Sequence, residues 1–349
     1  MTGFFLRRLM YGLLVLWGVA TVVFFLFIIL PADPARLTLG QRADAETLQA
    51  VRKELGLDQP IWKQYLRYLA DLSPLDQVPQ DYQASRYIQL FQAGAEEQWV
   101  LKAPNLRRSY QSQQPVSTIL ADAIPNTLLL AGVALLMASV VGLALGVTAA
   151  LRPGSALDQS LMSAAVLGIS TPSFFSAILI AWVFGYLLHE YTHLPMFGSL
   201  KGLDPFRGEV YQWRHLVLPA FTLGIRPLAI ITQLTRASTM EVLRQDFIRT
   251  AYAKGLYPYQ ILWRHALRNA LNPVVTAISG WFASLVAGAF FVEYIFAWRG
   301  IGKVTVDALA TANLPVAMGA LLSLGALFVA VNILVDLVYY LLDPRIQLE

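Results

Sequence analysis

RQDFIRTAYAKGLYPYQILWRHALRNALNP, residues Arg244–Pro273, is a basic stretch of mixed polarity set between long apolar runs. Leu243, Phe247, Ile248, Ala251 and Tyr252 recur at helical spacing on one face, while Arg244, Arg249 and Lys254 lie off that face. Gly255 supplies the left-handed position that ends a helix. Pro258 suits the first turn of a second helix, which runs through Ile261, Leu262, His265, Ala266 and Asn269. The reading is a helix–turn–helix too charged to enter a bilayer. An amphipathic hairpin on anionic lipid explains the charge. It leaves unexplained the Gly255-Leu256-Tyr257-Pro258 break, a blunt corner suited to a groove in a protein.

The flanking runs set the class. The chain has 349 residues, 56% hydrophobic and 14% charged, with a mean hydropathy of +0.54. That balance predicts an integral membrane protein. Six runs reach the roughly 20 residues a spanning helix needs: Leu9–Leu30, Thr127–Leu151, Ser160–Leu188, Leu216–Leu234, Val274–Val292 and Leu314–Leu342. Bilayer hydrocarbon requires every backbone polar group to be bonded internally, and these runs do not alternate as barrel strands do, so each is predicted helical. The apolar run after Arg7 and Arg8 is too long for a signal peptide and is read as a retained anchor. There are no cysteines, which excludes disulfides and thiolate chemistry. The net charge of +4 suits basic cytoplasmic loops and does not call for nucleic acid.

With the N-terminus inside, the short cytoplasmic segments carry Arg7, Arg8, Arg152, Arg236, Arg244, Arg249, Lys254, Arg264, Arg268 and Arg345. The short outer loops carry only Lys201, Arg207, Arg214, Arg299 and Lys303, so both termini are expected in the cytoplasm. The expected organisation is a spanning helix at 1–31, an extracytoplasmic segment at 32–122, and a five-helix core at 123–349 with the basic corner at about 241–273. In the outer segment, Glu46–Leu57 and Ile61–Leu72 read as short amphipathic helices, and residues 74–114 show no clear periodicity. Ala138, Gly142, Gly146 and Ala150 form a stripe that permits close helix packing, as do Gly319 and Ser323.

Catalytic patterns are missing. There is no phosphate-binding loop; Gly300-Ile301-Gly302-Lys303-Val304-Thr305 has the wrong spacing, and no H-E-x-x-H occurs. His189 and His193 have i,i+4 spacing, which fits ordinary interfacial histidines better than a metal site. Arg226 and Asp336 are the ionisable residues inside the runs. Arg226 either pairs structurally, for instance with Asp336, or lines a path for an anionic substrate; Asp336 is expected to cap or pair locally.

Several motifs in one order resemble a known family. Phe247-Ile248-Arg249-Thr250-Ala251-Tyr252-Ala253-Lys254-Gly255, then His265-Ala266-Leu267-Arg268-Asn269-Ala270, is similar to the cytoplasmic EAA loop of permeases in the dipeptide/oligopeptide/nickel class of ABC importers. The likeness extends to Leu6-Arg7-Arg8-Leu9, Glu54-Leu55-Gly56-Leu57-Asp58-Gln59-Pro60, Pro125-Asn126-Thr127, Asn332-Ile333-Leu334-Val335-Asp336 and Asp343-Pro344-Arg345. The resemblance implies an all-α integral membrane protein of six transmembrane helices with the type I importer permease architecture, in the inner membrane of a prokaryote. It also implies a second homologous permease, two cytoplasmic ABC ATPases that hold the ATP and magnesium, and an extracytoplasmic substrate-binding protein. This chain would then carry no cofactor and perform no bond chemistry. On this resemblance Asp246, Phe247, Arg249, Thr250, Ala251, Ala253, Lys254, Gly255, Pro258 and His265 are the expected ATPase-coupling residues, and Arg226 is a candidate for the translocation path. The cargo implied is a di- or oligopeptide, with nickel or another small solute as the alternative; a stand-alone carrier or channel is the rival from a different class. Two departures stand out: Phe247 replaces a Tyr, and Trp298-Arg299-Gly300-Ile301-Gly302 lacks the proline of a W-P-G-[LI]-G turn, which predicts a looser turn.

Overall fold

The computed structural model describes residues 2–29, 49, 58–79, 88–92, 97–204 and 208–342. The expected helix Glu46–Leu57, apart from residue 49, lies outside the described residues, as do Arg207 and the Asp343-Pro344-Arg345 motif.

The chain is built on helices α1 (Thr2–Ile29), α2 (Ile61–Leu72), α3 (Val116–Leu151), α4 (Ala156–Ser170) and α5 (Ser173–Trp182). After these come α6 (Arg214–Leu243), α7 (Asp246–Ala253), α8 (Pro258–Gly288), α9 (Phe290–Ile295), α10 (Ile301–Ala310) and α11 (Leu314–Leu342). Among the described residues, α1, α3, α6, α8 and α11 are long and apolar enough to cross a membrane. The sixth expected span is not one straight helix: α4 and α5 meet at a 112° bend. Thr171 and Pro172 cause it. A proline ring disfavours helical geometry in the residue before it, and Thr171 is extended at φ −80°, ψ 129°.

The helical expectation needs one addition, two small sheets. Strands β1 (Leu75–Pro79), β2 (Ile88–Gln92) and β3 (Glu97–Leu101) form an antiparallel sheet in the order β1-β3-β2, with Leu75 opposite Leu101. A register shift between Gln89 and Phe91 interrupts the ladder, so no simple alternation marks these strands in the sequence. Strands β4 (Lys201–Asp204) and β5 (Gly208–Tyr211) make a hairpin.

Two compact units result. One comprises Met1–Arg8, Ala123–Lys303 and Leu327–Glu349. Its core packs Leu130 and Ala134 of α3, Ala177 and Ala181 of α5, Leu223 of α6, and Leu285 of α8 around fully buried Trp298. The small-residue stripe of α3 faces α6. A Cβ on Gly146 would come within 2.7 Å of the Thr232 carbonyl oxygen, and one on Gly142 within 3.0 Å of the Leu228 carbonyl oxygen. These backbones approach closely because nothing stands between them. In the same unit the Arg8 guanidinium lies 2.8 Å from Asp336.

The other unit comprises Leu9–Asp122 and Val304–Ala326. Here Ala20, Val23 and Phe24 of α1 pack on Tyr68 of α2 and on Met318 and Leu322 of α11. Phe24 meets the Tyr65 and Tyr68 rings at centroid distances of 5.1 and 5.4 Å. Asn313 is buried; its Nδ2 donates to the Ser109 hydroxyl at 2.8 Å and its Oδ1 accepts the Tyr110 N–H at 3.1 Å. Leu9, Met10, Leu13, Leu14 and Trp17 on α1 remain exposed, an apolar face suited to lipid.

Candidate functional site

The basic corner is built by α7, the turn after it and the start of α8. Lys254 donates its N–H to the Thr250 carbonyl at 3.0 Å, and Gly255 donates to Tyr252 at 2.9 Å. Leu256 reaches back to the Ala251 carbonyl at 3.3 Å. Gly255 takes φ +77°, the left-handed region that closes a helix in this way. The next helix starts at once. Pro258 occupies its first turn, and the Gln260 side chain accepts the Tyr257 N–H at 3.2 Å. Ile248 and Ala251 turn inward and pack with Val242, Ile261, Ala266 and Ala270, so the corner has its own small core.

That core takes only part of the apolar face of α7. Phe247 and Tyr252 are exposed, because an eight-residue helix resting on one side needs only the Ile248/Ala251 stripe. Of the expected coupling residues, Asp246, Phe247, Arg249, Thr250, Ala253, Lys254, Gly255 and Pro258 share the exposed surface of the corner. Ala251 belongs to the inner core instead, and His265 is half-buried one helix further on, within a widened stretch at Ile261–Ala266. Arg249 lies 3.5 Å from Asp246 along the exposed face. Tyr257 and Tyr259 stack at 6.1 Å, and Trp263 is 69% exposed, so an aromatic surface adjoins the charged one. Such a surface of rigid rings and charges fits a protein groove.

A second feature lies within the membrane-crossing helices. The α4–α5 bend opens a cavity of about 80 Å³ between those helices, α6 and α8. Thr171, Ser173, Ser176, Thr222, Arg226 and Ser284 line it together with Trp281. Arg226 is not paired with Asp336, which belongs to Arg8. Its Nη2 lies 3.4 Å from the Ile169 carbonyl, and among the described residues no carboxylate neutralises it. The hydroxyl residues were not singled out from the sequence. Their signal is Ser170-Thr171-Pro172-Ser173, a polar, proline-bearing break inside an otherwise apolar run.

A third feature, also not singled out from the sequence, is Glu293 on α9. It is fully buried, and its carboxylate accepts the Gly302 N–H at 2.7 Å and the Lys303 N–H at 3.4 Å. Burial pushes this carboxyl up to about 7, against the opposing pull of Thr127 and the two backbone N–H groups. The Trp298–Gly302 turn beside it is pinned, which corrects the expectation of a looser turn. The Trp298 indole donates to the Asn126 carbonyl at 3.0 Å, Asn126 Nδ2 donates to the Arg299 carbonyl at 2.8 Å, and Ile301 N–H donates to the Thr127 hydroxyl at 2.9 Å. These bonds do what a proline would do by restricting the backbone. His189 bonds the Leu194 carbonyl at 2.8 Å, and among the described residues no three His, Asp or Glu side chains cluster to hold a metal ion.

Comparisons with known proteins agree with this architecture. Residues 142–348 match the family described as binding-protein-dependent transport system inner membrane component, and residues 1–131 match its N-terminal membrane component. A protein of Brucella abortus, provisionally named a peptide transport system permease protein, is 37% identical over 350 residues that cover all of both chains. The di/tripeptide transport system permease protein DppB of Pseudomonas aeruginosa is 34% identical over 364 residues, covering 99% of each chain. The MetNI methionine ABC transporter, solved in an inward-facing conformation, aligns with a TM-score of 0.52 and 19% identity over 66% of this chain and 99% of that one, a likeness of fold. Long apolar helices, a turned-out charged corner and a match along nearly the whole length agree: the chain belongs to the family of multi-pass inner-membrane permease components of binding-protein-dependent ABC transport systems.

Proposed function

We propose that this permease forms one half of the membrane pathway of an ATP-driven importer of di- or oligopeptides. It works with a second homologous permease, two cytoplasmic ABC ATPases and an extracytoplasmic substrate-binding protein. Both termini are cytoplasmic, as the basic loops favour. The relatives named for peptide transport along their full length support the cargo. The corner supports the mechanism, and it is the observation that carries the reading. Asp246, Phe247, Arg249, Thr250, Ala253 and Lys254 face outward, while Gly255 and Pro258 fix the angle at which α7 meets α8.

The outward face of α7 sits in a cleft of an ATPase. Closure of the ATPases moves α7 with its small core as one body, and α6 and α8 follow because they are joined to it. The two arrangements of the spans differ in their contacts to ATPase and substrate, which is what shifts their populations. ATP hydrolysis and magnesium belong to the partner chains, and no residue of this chain makes or breaks a bond. The cavity at Arg226 belongs to the pathway.

The test is reconstitution. The tagged permease is expected to copurify with both ATPase and second permease, and to take up a labelled dipeptide only with ATP and binding protein present. Uptake by this chain without any ATPase would overturn the reading in favour of a stand-alone carrier; uptake of nickel without peptide would overturn the cargo.

A further inference from the structure

We infer that the cavity beneath the α4–α5 bend is a subsite for the terminal carboxylate of the cargo, held by Arg226, Ser173 and Ser176 as the substrate passes. The inference rests on the peptide-importer reading above. Three independent observations meet in the cavity. Arg226 brings a full positive charge into a membrane-crossing helix, and no carboxylate of the described chain answers it. A charge on such a helix needs water, a cavity or a partner, and Arg226, exposed on this chain, lines a cavity. Ser176, buried at 8% exposure, brings a hydroxyl and also lines the space.

The third observation is the bend itself. It cuts one span into two, so the N-terminal turn of α5 begins at Ser173 beside the cavity, with Pro172 just before it. The first N–H groups of a helix have no partner within it, and the helix dipole makes that end positive. A half-helix start, a guanidinium and the Ser173 and Ser176 hydroxyls share one cavity with Trp281 and apolar neighbours, and the one formal charge in that lining is positive, which favours an anion. The planar guanidinium fork matches a carboxylate by two parallel hydrogen bonds.

Size decides which part of a peptide fits. The cavity of about 80 Å³ is roughly half of the ~150 Å³ that holds a benzene ring. It takes one carboxylate and a water, and excludes a whole dipeptide. The subsite therefore orients one end of the cargo and leaves the side chains outside, which suits a transporter that accepts varied peptides.

The experiment uses the full importer in proteoliposomes. ATP-driven uptake of a labelled dipeptide is measured at saturating binding protein for the wild type, Arg226→Gln and Arg226→Lys, with recovery of the second permease and ATPases checked for each. Loss of a charge-assisted bond predicts uptake about ten- to a hundredfold slower in Arg226→Gln, with Arg226→Lys between that and wild type. A C-terminally amidated peptide that the binding protein delivers is expected to move equally slowly in wild type and Arg226→Gln. Equal dipeptide uptake by wild type and Arg226→Gln would overturn the subsite. So would loss of the second permease from the Arg226→Gln complex, since Arg226 would then serve as a pairing residue between permeases. Failure of the wild type to move any peptide would instead overturn the importer reading.

Discussion

Arg236 grips Asp158 with two nitrogens: Nε faces Oδ1, and Nη2 donates to Oδ2 at 2.7 Å. The Asp158 side chain is 3% exposed and also accepts the Gly154 N–H at 2.9 Å, so this pair fastens the start of α4 to α6. The Arg236 guanidinium holds the Asp158 carboxyl below the usual carboxylate range, so removing either partner leaves the other's charge without its mate. Asp158→Asn and Arg236→Gln are each expected to lower the melting temperature of the detergent-purified chain. The double variant should melt close to the single ones, because the second change removes a charge already left alone. Additive losses would mean that the two residues act separately.

Gly255 at φ +77° has open space around the position of a Cβ, so a larger residue there meets backbone strain and no clash. Gly255→Val is expected to keep membrane insertion and ATPase binding while reopening the angle between α7 and α8. The cost is on the order of 1–3 kcal/mol, confined to the corner. ATP hydrolysis should continue while peptide uptake falls at least tenfold. Uptake at the wild-type rate would remove the corner from the coupling mechanism.

Glu293 gives the chain a pH signature. Its carboxyl rises from 4.5 in the open chain to about 7 in the fold, so the folded state binds the extra proton between those values. Folded stability is therefore greatest below pH 4.5 for this group and declines as pH rises to about 7, by on the order of 3 kcal/mol at most. Glu293→Gln keeps an oxygen for the Gly302 N–H and should flatten the fall in melting temperature between pH 5 and pH 8. An unchanged slope in that variant would assign the pH dependence to other groups.

Gly146 tests the close approach of α3 and α6. A side chain at this position would meet backbone and Thr235, and neither yields without moving a helix. Gly146→Val is expected to cost about 1–3 kcal/mol through overpacking. The comparison is Gly132→Val on the same helix, where no atom lies within 4 Å and the melting temperature should hold.

The parts of this protein that were legible in its sequence depend on local signals. Runs such as Thr127–Leu151 announce helices because no other structure satisfies their backbone in lipid. The corner was legible because Gly255 and Pro258 each fix a backbone angle on their own. The third apolar run misled, since hydropathy averages over twenty residues while the break needs only Thr171 and Pro172. Long-range partners were not legible at all. Nothing near Asp336 in the chain points to Arg8, and nothing near Arg299 points to Asn126, which holds the proline-less turn in place. The carboxyl of Glu293 also gave no warning, because a lone acid beside aromatic residues looks the same whether it faces water or protein.

The corner has one mechanical consequence. Helix α8 runs for 31 residues from Pro258 to Gly288, about 46 Å along its path at 1.5 Å per residue, with Pro273 inside it. Leverage follows from that length: tilting its corner end by about 5° sweeps the far end through about 4 Å, more than the width of a water molecule. The widened turn at Ile261–Ala266 lies near the corner end, where any bending swings the far end most. On the proposed coupling role, a small stroke at one surface of the membrane would be geared up into a displacement of that size near the other.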